Sequence, residues 1–473
     1  MLKKPKVGFI ALCAPVHVEV IDDLGRPFPV VGAAEMACRA LEKQGIEVIR
    51  YPKKPLVEGK VKGYQVKDFN KEALIDSRKK AEEAFDYFVA EHVDCVVTFF
   101  TTWMWVGHYT QTILRARLPI VAWSFPRQEG CQMVGLLGMH GTLDELGLEH
   151  EMVYGMHDDP ATQDKLMRYI KACAVVNTLK KSKYGRFGGR CMDMIPGLFD
   201  NNDWLLKFGV EVEELGQEVL VREGGKFKDK EIKDVYSRIK RLFDKVPPLT
   251  DTYMEKNIRF YLAHKKVAEE HGIDFSGIKC VFELSDYYCK PCIAQSLMAE
   301  DGYATACCCE DKGALTEYIM RILSDKVQFQ GDVEYVDVRT GKIHMVSCGA
   351  AAPSLAGNKS KAGIYAGPPI EGEAGGYSVT MESREGDVTL ARLSRVKGEY
   401  VMVIAAGKLY PCKKSDIEAC GFINLPHFNI MLEGNAEIFL QNLRSQYMHF
   451  VCDNIKDELI TVCRLLGIRP ILV

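Results

Sequence analysis

Between residues 306 and 349 the chain places Glu310, Asp311, Asp332 and His344 among Cys, Met, Val, Ile and Phe residues. Carboxylates followed by an imidazole, at the ends of apolar strands, are a donor set for a hard-to-borderline divalent cation. Oxygen-rich ligation with one or two His suits manganese or magnesium more than a structural zinc. Such a set could also interconvert an aldose and its ketose. One carboxylate takes the proton alpha to the carbonyl, an acid returns it to the neighbouring carbon, and a Lewis acid stabilises the enediol between. A helix over about 311–323 between two strands would bring Glu310 and Asp332 to adjacent strand ends on one edge of a sheet. His344 would then fall on or after the next strand. The bland alternative is solvated loop acids and a satisfied polar His.

The elements that must position these residues alternate. Strands over 5–12, 45–51 and 94–99 are separated by helices over 33–44 and about 71–91, the pattern of a parallel, doubly wound sheet. Ligands bind such sheets at the carboxyl ends of the strands, where His17 and residues 101–105 fall. A second α/β unit starts near 155–170 with a helix over 164–179, followed by a glycine-containing loop at 185–200. That loop lacks GxGxxG and GxxxxGK[ST] spacing and carries no nucleotide site. A polar segment over 222–245, a helix over 251–271 and a strand over 278–284 come next. After about residue 356 a Gly/Pro-rich loop gives way to strands within 377–383, 387–396 and 399–409. A last helix, 454–466, stops at Gly467. The expected architecture is two doubly wound parallel-sheet domains, 1–165 and 166–355, followed by a β-rich, barrel-like C-terminal domain with a terminal helix, 356–473.

A chain of 473 residues exceeds one core. Its 47% hydrophobic and 26% charged residues are an ordinary globular balance, and a net charge of −3 argues against nucleic acid as a partner. No apolar run is long enough to span a membrane. The opening MLKKPKVGFIALCA reads as a first buried strand rather than a signal peptide. Seventeen cysteines, mostly inside apolar runs, fit reduced thiols in a cytoplasmic core.

The order of the pieces carries a resemblance. CEDKGALTEYI, FQGDVEYVD and KIHMVSCGAAA are followed by GDVTLARLSR and RSQYMHFVCDNIKDELITVCRLLGI. Together they resemble the L-fucose isomerase and L-arabinose isomerase superfamily over most of the chain, and its divergent L-fucose isomerase-like members most. The resemblance implies a metal-dependent sugar isomerase with a manganese ion, or another divalent cation, held by two acids and a C-terminal histidine. Residue by residue these match Glu310, Asp332 and His449. The two acids also match the family's proton-transfer pair, and His344 matches a histidine that ligates or lines the site in the arabinose branch. His427 is the rival third ligand. The resemblance also implies homo-oligomers, often hexamers, with sites between subunits. Trp103, beside Trp105, then falls in a loop that reaches a sugar, while His17, Gln128, Glu283 and Tyr447 are further pocket candidates. A non-catalytic sugar-binding or regulatory protein is the alternative.

Cys289 and Cys292 form a CxxC, and Cys307, Cys308 and Cys309 lie nearby. These could hold zinc or an iron–sulfur cluster. Adjacent cysteines are expected to point away from one another, so small buried residues are the expected reading.

Overall fold

A computed structural model describes residues 4–357, 362–368 and 374–473. Much of the glycine-rich stretch expected as a loop after residue 356 lies outside them. The chain forms two compact units, residues 1–177 and 178–473.

The first unit is built on six parallel strands: β1 (Lys6–Leu12), β2 (Glu47–Arg50), β3 (Leu74–Ile75), β4 (Cys95–Phe100), β5 (Ile120–Ser124) and β6 (His150–Tyr154). Their order is β2-β1-β4-β5-β6, with β3 pairing the end of β1. β4 and β5 are buried at every position. That is why they read as continuous apolar runs: helices cover both faces of a parallel sheet. The Arg78–Ala90 helix, capped by Ser77, packs so close to β1 that a Cβ on Gly8 would stand 2.8 Å from the Phe88 ring.

The second unit begins with four parallel strands: β7 (Lys183–Phe187), β8 (Glu211–Leu215), β9 (Phe275–Ile278) and β10 (Thr305–Cys307), in the order β10-β9-β7-β8. The strand expected over 278–284 ends early. Its partners run out at Ile278, and residues 280–284 turn irregularly, with Phe282 exposed.

An antiparallel sheet follows: β11 (Gln328–Asp337), β12 (Lys342–Val346), β15 (Gly386–Val396), β16 (Glu399–Tyr410), β17 (His427–Glu433), β18 (Tyr447–Val451) and β19 (Arg469–Leu472), with a separate hairpin of β13 (Gly363–Ala366) and β14 (Tyr377–Thr380). The order β15-β18-β11-β12-β17-β16 closes through β15–β16 pairing, and β19 adds to β16 in parallel. This is a six-stranded barrel. Phe329 and Phe428 come from non-adjacent strands yet approach to 4.3 Å between ring centroids, and Phe450 joins them. They fill the interior. Asp332 and His344 therefore lie on barrel strands and not at the ends of a parallel sheet. The run of residues between Glu310 and Asp332 does hold the expected helix, Asp311–Ser324.

The closing helix, Lys456–Leu466, ends on Gly467 at φ +58, as its glycine stop suggested. It is tied to the barrel through Thr389, whose hydroxyl donates to the Asp453 carbonyl (2.7 Å) and accepts from the Ile455 N–H (3.0 Å). Thr389→Val leaves the buried Ile455 N–H and the half-buried Asp453 carbonyl without this partner. It should cost about 1–3 kcal/mol, read as a lower urea midpoint at unchanged slope.

Candidate active site

Glu310 stands where β10 hands over to the Asp311–Ser324 helix. Cys308 and Cys309 before it both adopt left-handed backbone, φ +57 and +47. Two consecutive non-glycine residues in that region hold strain of about 1–3 kcal/mol each, a cost that concentrates at functional sites. The carboxylate of Glu310 is fully buried. Arg392, from β15 just beyond its last pair with β18 (Ala391 with His449), meets it with both terminal nitrogens, at 2.7 and 2.9 Å. His449 sits on the outer face of the barrel, because Met448 and Phe450 on either side of it point into the core. Its Nδ1 donates to Glu317 (3.1 Å), and its Nε2 lies 3.8 Å from Glu310 Oε2 and 3.5 Å from Arg392. Gly313 keeps this space open. A Cβ there would stand 2.2 Å from Glu310 Oε2 and 2.5 Å from the His449 ring.

Burial opposes the charge on Glu310, but Arg392 and His449 outweigh it and hold the carboxyl down at about 2. Burial likewise works against the His449 imidazolium, and its two carboxylate partners reverse the balance and raise it. Burial pushes the Glu317 carboxyl up, with His449 offsetting part of the rise. Asp311 is pushed up by burial to about 6, tempered by Arg186 (3.0 Å) and the Tyr184 hydroxyl (2.5 Å). Burial lowers Lys312 to about 8. Its ammonium donates to the carbonyls of Pro196 (2.6 Å) and Leu198.

Lys312 and residues 195, 196 and 198–200 line a cavity of about 530 Å³ together with Arg190, Ser394, Arg395 and Arg444. Gly197, in the turn that Lys312 holds, lies beside Glu310 Oε1. The loop that walls the cavity thus passes beside the buried carboxylate, and the cavity carries several cationic side chains with one acid, Asp200. The loop expected at 185–200 is shaped by these contacts.

The structure brings Glu310 and His449 together. Asp332 pairs with Tyr447 and Gln330 with His449, so register puts Asp332 on the same outer face, one step along. Glu310, Asp332 and His449 do not draw their donor atoms within 4.8 Å of one another. The groups of three that do so, among the described residues, are Cys280–Cys307–Cys308 and His140–Asp144–His150. His344 is engaged elsewhere, with Asn429 (2.7 Å) and His427 (3.1 Å), and His427 reaches the Phe422 carbonyl (2.9 Å). Of the two rivals, His449 is therefore the one beside Glu310. Tyr447 is buried among Cys307, Cys308 and Cys348. Glu283 pairs with Lys279 at 3.0 Å. In the first unit, His17 packs against Phe28 and Trp103. Trp103 and Trp105 are 38% and 41% exposed at the C-terminal end of β4, and Gln128 is exposed after β5. Sequence reasoning missed Arg392, Glu317 and Lys312. The first two had a signal: an arginine inside the apolar run VTLARLS, and a second acid two helical turns after Glu310.

Sequence profiles match both units. That of "L-fucose isomerase, first N-terminal domain" covers residues 25–181, and that of "L-fucose isomerase, C-terminal domain" covers 346–472. Together with the fold they define an enzyme of the aldose–ketose isomerase class. Proteins named sulfoquinovose isomerase from Priestia aryabhattai and Priestia megaterium are each 25% identical over 71% of this chain and 76% of their own. One from Clostridium sp. is 23% identical over 43% of this chain and 46% of its own. Among solved structures, a galactofuranose binding protein matches 68% of this chain and 90% of its own at 10% identity, with a TM-score of 0.17, too low to define a shared fold. The chain belongs to the L-fucose isomerase family.

Arg392→Met leaves the Glu310 carboxylate buried without its partner. It should cost about 3–5 kcal/mol in urea unfolding, and adding Glu310→Gln should recover most of the loss. The His449 pKa in the folded chain lies above its ordinary 6.5. The stability it contributes is therefore complete below that value and is lost as pH rises through the folded pKa. Melting temperatures of wild type and His449→Gln should converge as the pH is raised from below 6.5.

Proposed function

We propose that this chain is a metal-dependent isomerase that interconverts an open-chain aldose and its ketose through an enediol, and that the sugar carries an anionic group such as a sulfonate. The observation that carries this reading is the cavity beside Glu310. Its arginines Arg190, Arg395 and Arg444 outnumber its one lining acid, Asp200, and although Arg190 and Arg395 also meet Asp193 and Asp203, the set suits an anion on a polar ligand, since guanidinium groups match the geometry of oxyanions. Relatives named for sulfoquinovose, a sulfonated sugar, support the same substrate class.

Glu310, Asp332 and His449 would hold the divalent cation, manganese foremost, and the ion would polarise the oxygens of the sugar. An ionised Glu310 with His449 Nε2 at 3.8 Å, in a space that Gly313 leaves clear, fits that role. Arg392 then gives up at least one carboxylate oxygen and keeps the site's charge balanced. Glu310 and Asp332, which is only partly buried, would be the pair that moves the proton between the two sugar carbons. Arg190, Arg395 and Arg444 hold the anionic end, and Lys312 fixes the loop that walls the cavity. The exposed Trp103 and Trp105 suit an oligomer, a hexamer for instance, in which this end of the first sheet reaches a neighbour's sugar. Seventeen free thiols suit a reducing, cytoplasmic setting. No helix among the described residues is long and apolar enough to cross a membrane.

Metal-stripped protein reloaded with manganese should isomerise a sulfonated aldose in preference to its unsulfonated parent. Glu310→Gln should lose metal and turnover together. Asp332→Asn, assayed with manganese in excess, should lose about 10²–10⁴-fold in exchange of substrate hydrogen with deuterated water. Full turnover by Glu310→Gln would end this assignment.

A further inference from the structure

A second group of ligand-type side chains lies apart from the carboxylates, at the ends of β9 and β10. Cys280 follows β9, Cys307 ends β10 and Cys308 comes next. Their sulfurs are 3.4 Å (Cys280–Cys307), 3.8 Å (Cys280–Cys308) and 3.8 Å (Cys307–Cys308) apart. Cys348, just past β12, has its sulfur 4.0 Å from that of Cys307. Cys191, Val281 and Tyr447 close the group from water.

Adjacent residues of an extended strand face opposite ways, which is why the Cys307–Cys308 pair was expected to diverge. It does not, because Cys308 leaves the strand at φ +57 and its side chain turns back toward that of Cys307. The separations are too long for a disulfide, whose sulfurs sit about 2.05 Å apart. They match a shared ion instead. With zinc–sulfur bonds of about 2.3 Å, the edges of a tetrahedron of thiolates are about 3.8 Å.

We propose that Cys280, Cys307 and Cys308, which lie within bonding reach of one ion, bind a thiophilic d¹⁰ cation of the zinc type. Each thiol gives its proton to solvent as its sulfur bonds the ion, and nothing is oxidised or reduced. The ion clamps the end of β10 to the residues that follow β9, and so fixes the carboxyl ends of the parallel sheet immediately before Glu310.

Cobalt(II) tests this without any need of turnover. Reduced full-length protein loaded with cobalt(II) should develop the intense near-ultraviolet band of thiolate-to-cobalt charge transfer, and added zinc should abolish it. Oxygen and nitrogen ligation at the carboxylate site gives no such band, so failure here and failure of the isomerase assignment are separable. Cys280→Ser and Cys307→Ser, checked for native circular dichroism, should lose the band. Cys463→Ser, a buried thiol against Met402, should keep it. Cobalt binding by wild type without the band would overturn the proposal, a result that does not depend on any variant folding. So would a band that survives in both Cys280→Ser and Cys307→Ser.

Discussion

The second unit is organised by a buried charge balance. Glu310, Glu317, Arg392 and His449 are each 5% exposed or less, and desolvating any one alone costs several kcal/mol. They are tolerable only together, two acids against a guanidinium and an imidazole. Neutralisation fixes the Asp311–Ser324 helix on the barrel, because Glu310, Gly313 and Glu317 fall on one helical face. Thr316 sits beside them, with its hydroxyl accepting from the Leu393 N–H at 3.0 Å.

Three consecutive residues divide the structural work. Glu310 turns to the barrel, Asp311 to Tyr184 and Arg186 of the parallel sheet, and Lys312 to the carbonyls of the loop at 196–198. A single helix start thus couples two sheets and a loop. The strained turn at Cys308 and Cys309 is what aims the three side chains in different directions. The cost of that turn is supported by the density of partners around it.

Strands of continuous apolar character and helices of regular amphipathic spacing were legible because their pattern is local. β1, β4 and the Thr252–His271 helix lie within a residue or two of expectation. Asp332 drew notice as an acid in an apolar stretch, but its place on a barrel strand was not legible. Parallel and antiparallel strands of similar composition look alike, and only long-range pairing shows that β11 belongs to a barrel. Arg392 escaped because a charge inside an apolar strand gives no hint of its partner 82 residues away. His344 looked like a ligand because residue type does not reveal that Asn429 and His427 satisfy both of its nitrogens.

Closure of the barrel has a bearing on how copies of this chain could associate. Within the barrel circuit each strand has neighbours on both sides, and the strand added outside it is four residues long and includes Pro470, which has no N–H to offer. A sheet so finished gives an incoming strand little to extend. Subunits meeting on this face would have to recognise one another through side chains, and the barrel itself is guarded against edge-to-edge polymerisation.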